Sequence, residues 1–166
     1  DSSGSMTDSG LMLANAVCYA VGKALQGISG VNLGITAFPG ANRAKRGTTV
    51  APVLRHGEKL TARFPEIAYG MTPMAESLWW VMQQMCLLRE NRKIILIITD
   101  GEPDSIPAAQ EAFNQAQKKG FECYGLGIMC PSISTLLPHA SRVVETLPQL
   151  APALFELLEG ALRRNA

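Results

Sequence analysis

Asp1, Ser3, Ser5, Thr72 and Asp100 are the residues of this chain whose types and spacing point most directly to chemistry. The opening stretch reads Asp1-Ser-Ser-Gly-Ser5, a D-x-S-x-S pattern. In it the alternate positions Asp1, Ser3 and Ser5 can converge on one point, while Ser2 and Gly4 turn away or permit the bend. Thr72 follows Gly70 at the mouth of an expected helix, and Asp100 follows a run of apolar residues. All five groups are hard oxygen donors, suited to Mg²⁺ first, with Mn²⁺ or Ca²⁺ as alternatives, and unsuited to zinc or copper. Two carboxylates and three neutral hydroxyls would leave a divalent cation short of anionic ligands and receptive to a carboxylate from another molecule. Taken singly, each element has a plainer use: a D-x-S-x-S stretch caps helices, Asp-Gly makes turns, and a Thr before Pro73 is an ordinary helix N-cap.

The elements needed to bring these residues together are legible in the pattern of apolar positions. Leu11, Leu13, Ala14, Val17, Cys18, Ala20, Val21 and Leu25 recur at helical spacing and predict an amphipathic helix from Ser9 to Gln26, ended by Gly27 and Gly30. Val31 to Phe38 alternates as a strand does, closed by Pro39-Gly40. Thr48 to Leu54, broken by Pro52, suits an edge strand. A second helix starts at Thr72 with Pro73 in its first turn, carries Met74, Ala75, Leu78, Trp79, Met82, Met85 and Cys86 on one face, and is expected to reach Glu90. Ile94 to Thr99 is a continuous apolar run, as in a strand buried on both faces of a parallel sheet, and stops at Asp100-Gly101. A helix over Ile106 to Lys119, a strand over Phe121 to Met129, a helical turn near Ile133 to Leu137, a strand near Arg142 to Glu145 and a helix over Leu147 to Arg163 complete the reading. This alternation predicts an α/β sheet covered on both faces. In such sheets ligands sit at the carboxyl ends of the strands, where Asp100 stands and where Asp1 would stand if a strand lay ahead of it.

A chain of 166 residues, 47% apolar and 17% charged, fits one globular domain with a proper core. The net charge of +1 gives no overall steer toward nucleic acid or an anionic membrane. Locally, Arg43, Lys45, Arg46, Arg55, Lys59 and Arg63 face only Glu58, a solvated loop or a docking face for an acidic partner. Cys18, Cys86, Cys123 and Cys130 form no C-x-x-C pair, which fits free thiols in a reducing compartment, and no stretch is apolar enough for a membrane span. The expectation is therefore a cytoplasmic protein that engages neither membrane nor nucleic acid.

Asp1-Ser-Ser-Gly-Ser5, Met71-Thr72-Pro73 and Ile98-Thr99-Asp100-Gly101 together resemble the von Willebrand factor type A domains, whose metal-ion-dependent adhesion site joins D-x-S-x-S, a Thr and an Asp. The resemblance extends over residues 1–166 as a single domain. It implies a three-layer α/β/α, Rossmann-like fold with a mostly parallel central sheet of order 3-2-1-4-5-6 and one antiparallel edge strand. It also implies that Ser3, Ser5 and Thr72 hold the metal through hydroxyls, with Asp1 and Asp100 acting directly or through water. In this family an apolar central strand precedes the first motif, so the chain is expected to be part of a longer protein with apolar residues ahead of Asp1. The wording TPMAESLWW and ITDGEPDS is similar to the bacterial branch of cobaltochelatase CobT-like subunits and nitric oxide reductase activation proteins of the NorD type. That likeness implies an adaptor working with a hexameric AAA+ ATPase of the MoxR class in metal chelation or metalloenzyme activation. A partner carboxylate would meet the metal, with Arg43, Lys45, Arg46 and Glu102 as candidate partner-binding residues.

The rival class is a Mg²⁺-dependent phosphotransfer or hydrolase domain with Asp1 or Asp100 as nucleophile. No Lys or Arg adjoins either motif to neutralise a phosphoryl group, and no G-x-x-x-x-G-K-[ST] loop is present. Ser3 and Ser5 lack a G-x-S-x-G context, and His56 and His139 have no evident partner as bases. Few aromatics interleave the basic Arg43 to Arg63 segment, so nucleic-acid stacking is poorly supported. The chain is expected to be a binding module rather than an enzyme.

Overall fold

In the computed structural model, which describes residues 1–40, 50–61 and 63–163, the helices begin where local capping chemistry allows. Helix α1 spans Asp8–Gln26, with the Thr7 hydroxyl accepting from the Gly10 amide at 3.2 Å and Gly27 at its end. Strands β1 (Ile35–Ala37) and β2 (Ala51–Leu54) follow, then helix α2 (Met74–Cys86) and strand β3 (Lys93–Thr99). Helix α3 (Ile106–Lys118) is capped by the Ser105 hydroxyl, which accepts from Ala108, and has Pro107 in its first turn. Strand β4 (Phe121–Ile128), the short helix α4 (Ser132–Leu136), strand β5 (Ser141–Val144) and helix α5 (Leu147–Arg163) complete the chain.

The described strands pair as two sheets. β3, β4 and β5 form a parallel sheet in that order, and β1 and β2 form an antiparallel pair. Alternation along β3 sends Ile95 and Ile97 to one face and Ile98 to the other, and β4 likewise separates Phe121 and Cys123 from Tyr124, Leu126 and Ile128. One face packs against α2, α3 and α4 through Met74, Leu78, Met82, Phe113 and Ile133, and the other against α1 and α5 through Leu11, Ala14, Val17 and Leu157. The parallel sheet is thus the middle of three layers, as an apolar strand buried on both sides requires. α4 lies close to β4 at two glycines: a Cβ on Gly125 would stand 2.4 Å from Ile133 Cγ1, and one on Gly127 would stand 2.3 Å from the Cys130 carbonyl oxygen.

Between the two sheets run the first residues of the chain. The Asp1 backbone nitrogen donates to the Ile98 carbonyl of β3 at 2.8 Å, and the Ser2 amide donates to the Phe38 carbonyl, just past β1, at 2.7 Å. The expected single-sheet order 3-2-1-4-5-6 is not shown in full, because the β1–β2 pair and the β3–β4–β5 sheet share no paired strand among the described residues.

Several boundaries differ from the sequence reading. The strand expected over Val31–Phe38 is only Ile35–Ala37: the Asn32 side chain is committed to Glu90 and to the Gly57 amide, and the His56 ring lies against Gly34. Helix α2 ends at Cys86 rather than Glu90, because the chain must turn to start β3 and Glu90 is drawn aside by Asn32. Trp79 and Cys86 lie outside the buried face assigned to them, Trp79 being 39% exposed. Ala20 is likewise exposed on α1. None of the described helices is long and apolar enough to cross a membrane, and all four cysteines are free.

Candidate metal centre

The loop following β3 and the opening loop of the chain meet at the carboxyl end of the parallel sheet. Asp100 immediately follows β3, so the strand itself fixes where its carboxylate emerges. Asp1 is held beside it by its backbone bond to Ile98 and by its own side chain, which accepts from the Ser3 amide at 2.8 Å and from the Thr99 hydroxyl at 2.5 Å. Thr99 is fully buried and its hydroxyl also accepts from the Gly101 amide at 3.2 Å, so one side chain ties the two loops together.

The hydroxyls form a chain across the gap. Ser3 Oγ lies 2.9 Å from Ser5 Oγ, and Ser5 Oγ donates to Asp100 Oδ1 at 2.9 Å. Ser2 and Ser3 are each 1% exposed, and they face opposite ways: Ser2 Oγ donates to the Phe38 carbonyl, whereas Ser3 Oγ joins the cluster. This is the alternation expected of an extended D-x-S-x-S stretch. Gly4, the residue expected to permit the bend, donates its amide to the Gly70 carbonyl at 3.0 Å.

Thr72 reaches the same point from the other side. A Cβ on Gly101 would stand 2.8 Å from Ser5 Oγ and 3.4 Å from Thr72 Oγ1, so both hydroxyls look onto the bare Cα of Gly101. The N-cap position of α2 belongs to Pro73, not Thr72, and no side chain caps that helix. Thr72 is instead fixed through its backbone: its amide donates to Asp104 Oδ1 at 2.7 Å, and its carbonyl accepts from the Asp104 amide at 3.0 Å. These two bonds leave the threonine hydroxyl free of the capping role the sequence allowed it. Asp104 is the residue the sequence reading missed; the repeated Asp in Asp100-Gly-Glu-Pro-Asp104 was its only signal.

All five expected oxygen donors are therefore brought together: Asp1, Ser3, Ser5, Thr72 and Asp100. The donor set is two carboxylates and three hydroxyls with no nitrogen or sulfur, which fits a hard divalent cation. Among the described residues no group of three or more His, Cys, Asp or Glu side chains is clustered. Glu102 is exposed two residues beyond Asp100, whereas Arg43, Lys45 and Arg46 lie outside the described residues. His56 sits in the loop after β2 with its ring against Gly34, where burial lowers its pKa, and His139 is exposed at the opposite side of α4 from β4's glycines in sequence.

No family model matches the chain, and no curated protein matches it. Among solved structures it is similar to the crystal structure of manganese-loaded TRAP protein from Plasmodium vivax, with a TM-score of 0.66 and 16% sequence identity over 91% of this chain and 68% of that one. At that identity the likeness shows the fold: a mixed α/β, Rossmann-like architecture of the von Willebrand factor A kind.

Proposed function

We propose that the chain is a metal-dependent protein-interaction module, in which Asp1, Ser3, Ser5, Thr72 and Asp100 hold a divalent cation at the carboxyl end of β3. The observation that carries this reading is the convergence of Ser5 Oγ, Thr72 Oγ1 and Asp100 Oδ1 beside Gly101, with Ser3 and Asp1 behind them. A cation held there would act as a Lewis acid with a position open to a partner's carboxylate. Mg²⁺ is the first expectation from the donor set, and Mn²⁺ is supported by the manganese-loaded neighbour.

The role of the protein residues is to hold oxygens in place without supplying excess negative charge. Both oxygens of Asp1 accept hydrogen bonds within the chain, from Ser3 and Thr99, and Asp100 accepts from Ser5. The finer reading is an adaptor that works with a MoxR-class AAA+ ATPase in metal chelation or metalloenzyme activation, with Glu102, Arg43, Lys45 and Arg46 on the partner side; it rests on the sequence resemblance.

Titration with Mn²⁺ and Mg²⁺, followed calorimetrically, tests the centre: one site is expected in the wild type and none in Asp100→Ala, at unchanged fold by circular dichroism. Capture of partners from lysate by the full-length protein tests the function, and retention is expected to be lost with EDTA and with Asp100→Ala. A partner set identical in all conditions would overturn the reading.

A further inference from the structure

Beside the oxygen cluster, on the same rim of the molecule, lies a cleft of about 250 Å³ between the start of α3 and α4. Pro103, Ile106, Pro131 and Leu136 give it apolar walls, Ser132 and Thr135 contribute hydroxyls, and Glu102 stands at its edge. Ile106 is 45% exposed in the first turn of α3, whereas Ala109, Ala112, Phe113 and Ala116 further along that helix are fully buried. Met129, which follows β4 with a φ of 54°, is also exposed, as is Met71 beside Thr72. Exposed apolar side chains thus occur both at the cleft, in Ile106, and next to the oxygen cluster, in Met71 beside Thr72.

The cleft and the oxygen cluster are parts of one strapped loop. Asp100 belongs to the cluster and Glu102 to the cleft, so the Cα atoms of these two residues lie at most about 7 Å apart. The loop between them is tied at Asp104 by its two hydrogen bonds to Thr72, and at Thr99 by its bonds with Gly101 and Asp1. Their separation is therefore fixed by the fold. The charges differ as well: a cation at the cluster attracts a carboxylate, whereas Glu102 at the mouth of the cleft repels one.

We propose that the cleft receives the aliphatic side chain of a partner segment whose acidic residue lies one residue away, so that the partner is read as acidic, any residue, aliphatic. This inference rests on the cation reading above. The acidic residue engages the cluster, and the aliphatic residue enters the walls formed by Ile106, Pro131 and Leu136. Glu102 disfavours a second acid in the cleft.

The test uses the protein with Mn²⁺ and a small set of fluorescent peptides. One carries Asp-Gly-Leu within a glycine-serine context, and the others replace Leu by Gly, replace Asp by Asn, or lengthen the single Gly spacer to four. In the wild type the Asp-Gly-Leu peptide is expected to bind about tenfold more tightly than its Gly control, a difference of about 1.4 kcal/mol. The four-residue spacer is expected to forfeit that gain. Thr135→Trp, a substitution at an exposed position that fills the cleft, is expected to abolish the leucine advantage while leaving Mn²⁺ affinity and the weak carboxylate binding intact. Equal binding of the leucine and glycine peptides, or an advantage indifferent to spacer length, would overturn the cleft while leaving the cation reading standing. Leucine-dependent binding that survives both the Asn peptide and Asp100→Ala would overturn the cation reading instead, and with it the coupling of the two sites.

Discussion

At the scale of single residues, Gly101 is the pivot of the candidate centre. It carries no side chain where Ser5 Oγ and Thr72 Oγ1 both point, and an added methyl would sit 2.8 Å from the former. Gly101→Ala is therefore expected to push the hydroxyls apart and weaken Mn²⁺ binding at least about tenfold, equivalent to about 1.4 kcal/mol. Calorimetric titration beside a thermal melt checks this, and unchanged Mn²⁺ affinity would mean that the space beside Gly101 is not where a cation sits. The candidate donors were legible in the sequence because the D-x-S-x-S alternation and the Asp after an apolar run constrain direction as well as type. Asp104 was not, because its role is to hold the Thr72 backbone across 32 residues, and no local pattern records such a contact. Thr72 shows the same limit from the other side: its sequence context before Pro73 is that of a helix cap, and only its tertiary hydrogen bonds release the hydroxyl.

At the scale of elements, helix existence followed from apolar spacing, and the errors fell at ends and at faces. α3 buries Ala109, Ala112, Phe113 and Ala116, a spacing of three and four residues that only one helical face can satisfy. The short β1 and the early end of α2 share a cause. Asn32 and Glu90 hydrogen-bond to each other at 2.8 Å, pulling both flanking segments out of regular structure. Close packing of α4 on β4 was equally invisible, since Gly125 and Gly127 read only as interruptions of an alternating strand. Gly127→Ala places a methyl 2.3 Å from the Cys130 carbonyl, where backbone rather than a flexible side chain must yield. The variant is expected to lose about 1–3 kcal/mol of stability, as overpacking of a tight site does. Chemical denaturation measures it, and a loss below about 0.5 kcal/mol would show that the α4 turn shifts freely.

At the scale of the whole molecule, Asp1 and Ser2 hydrogen-bond first toward β3 and then toward β1, the alternation of a strand lying between two others. Apolar residues joined ahead of Asp1 are expected to run back between β1 and β3 and merge the two sheets into the order 3-2-1-4-5-6. The Ile94 and Leu96 amides share the strand side of Ile98, so their hydrogen exchange is expected to slow in a longer chain relative to residues 1–166. Equal exchange rates would count against a strand in that position.

The sequence by itself determined the class of the fold, the candidate oxygen donors and their place at the ends of elements, because periodicity and residue chemistry are local properties. The tertiary structure alone decided that the loops carrying Asp1, Ser3, Ser5, Thr72 and Asp100 meet at the carboxyl end of β3, that Asp104 and Thr99 lock those loops, and that a cleft lies beside them. Those facts depend on contacts between residues 30 to 100 positions apart, and such contacts are created by packing the layers, not by any stretch of chain on its own.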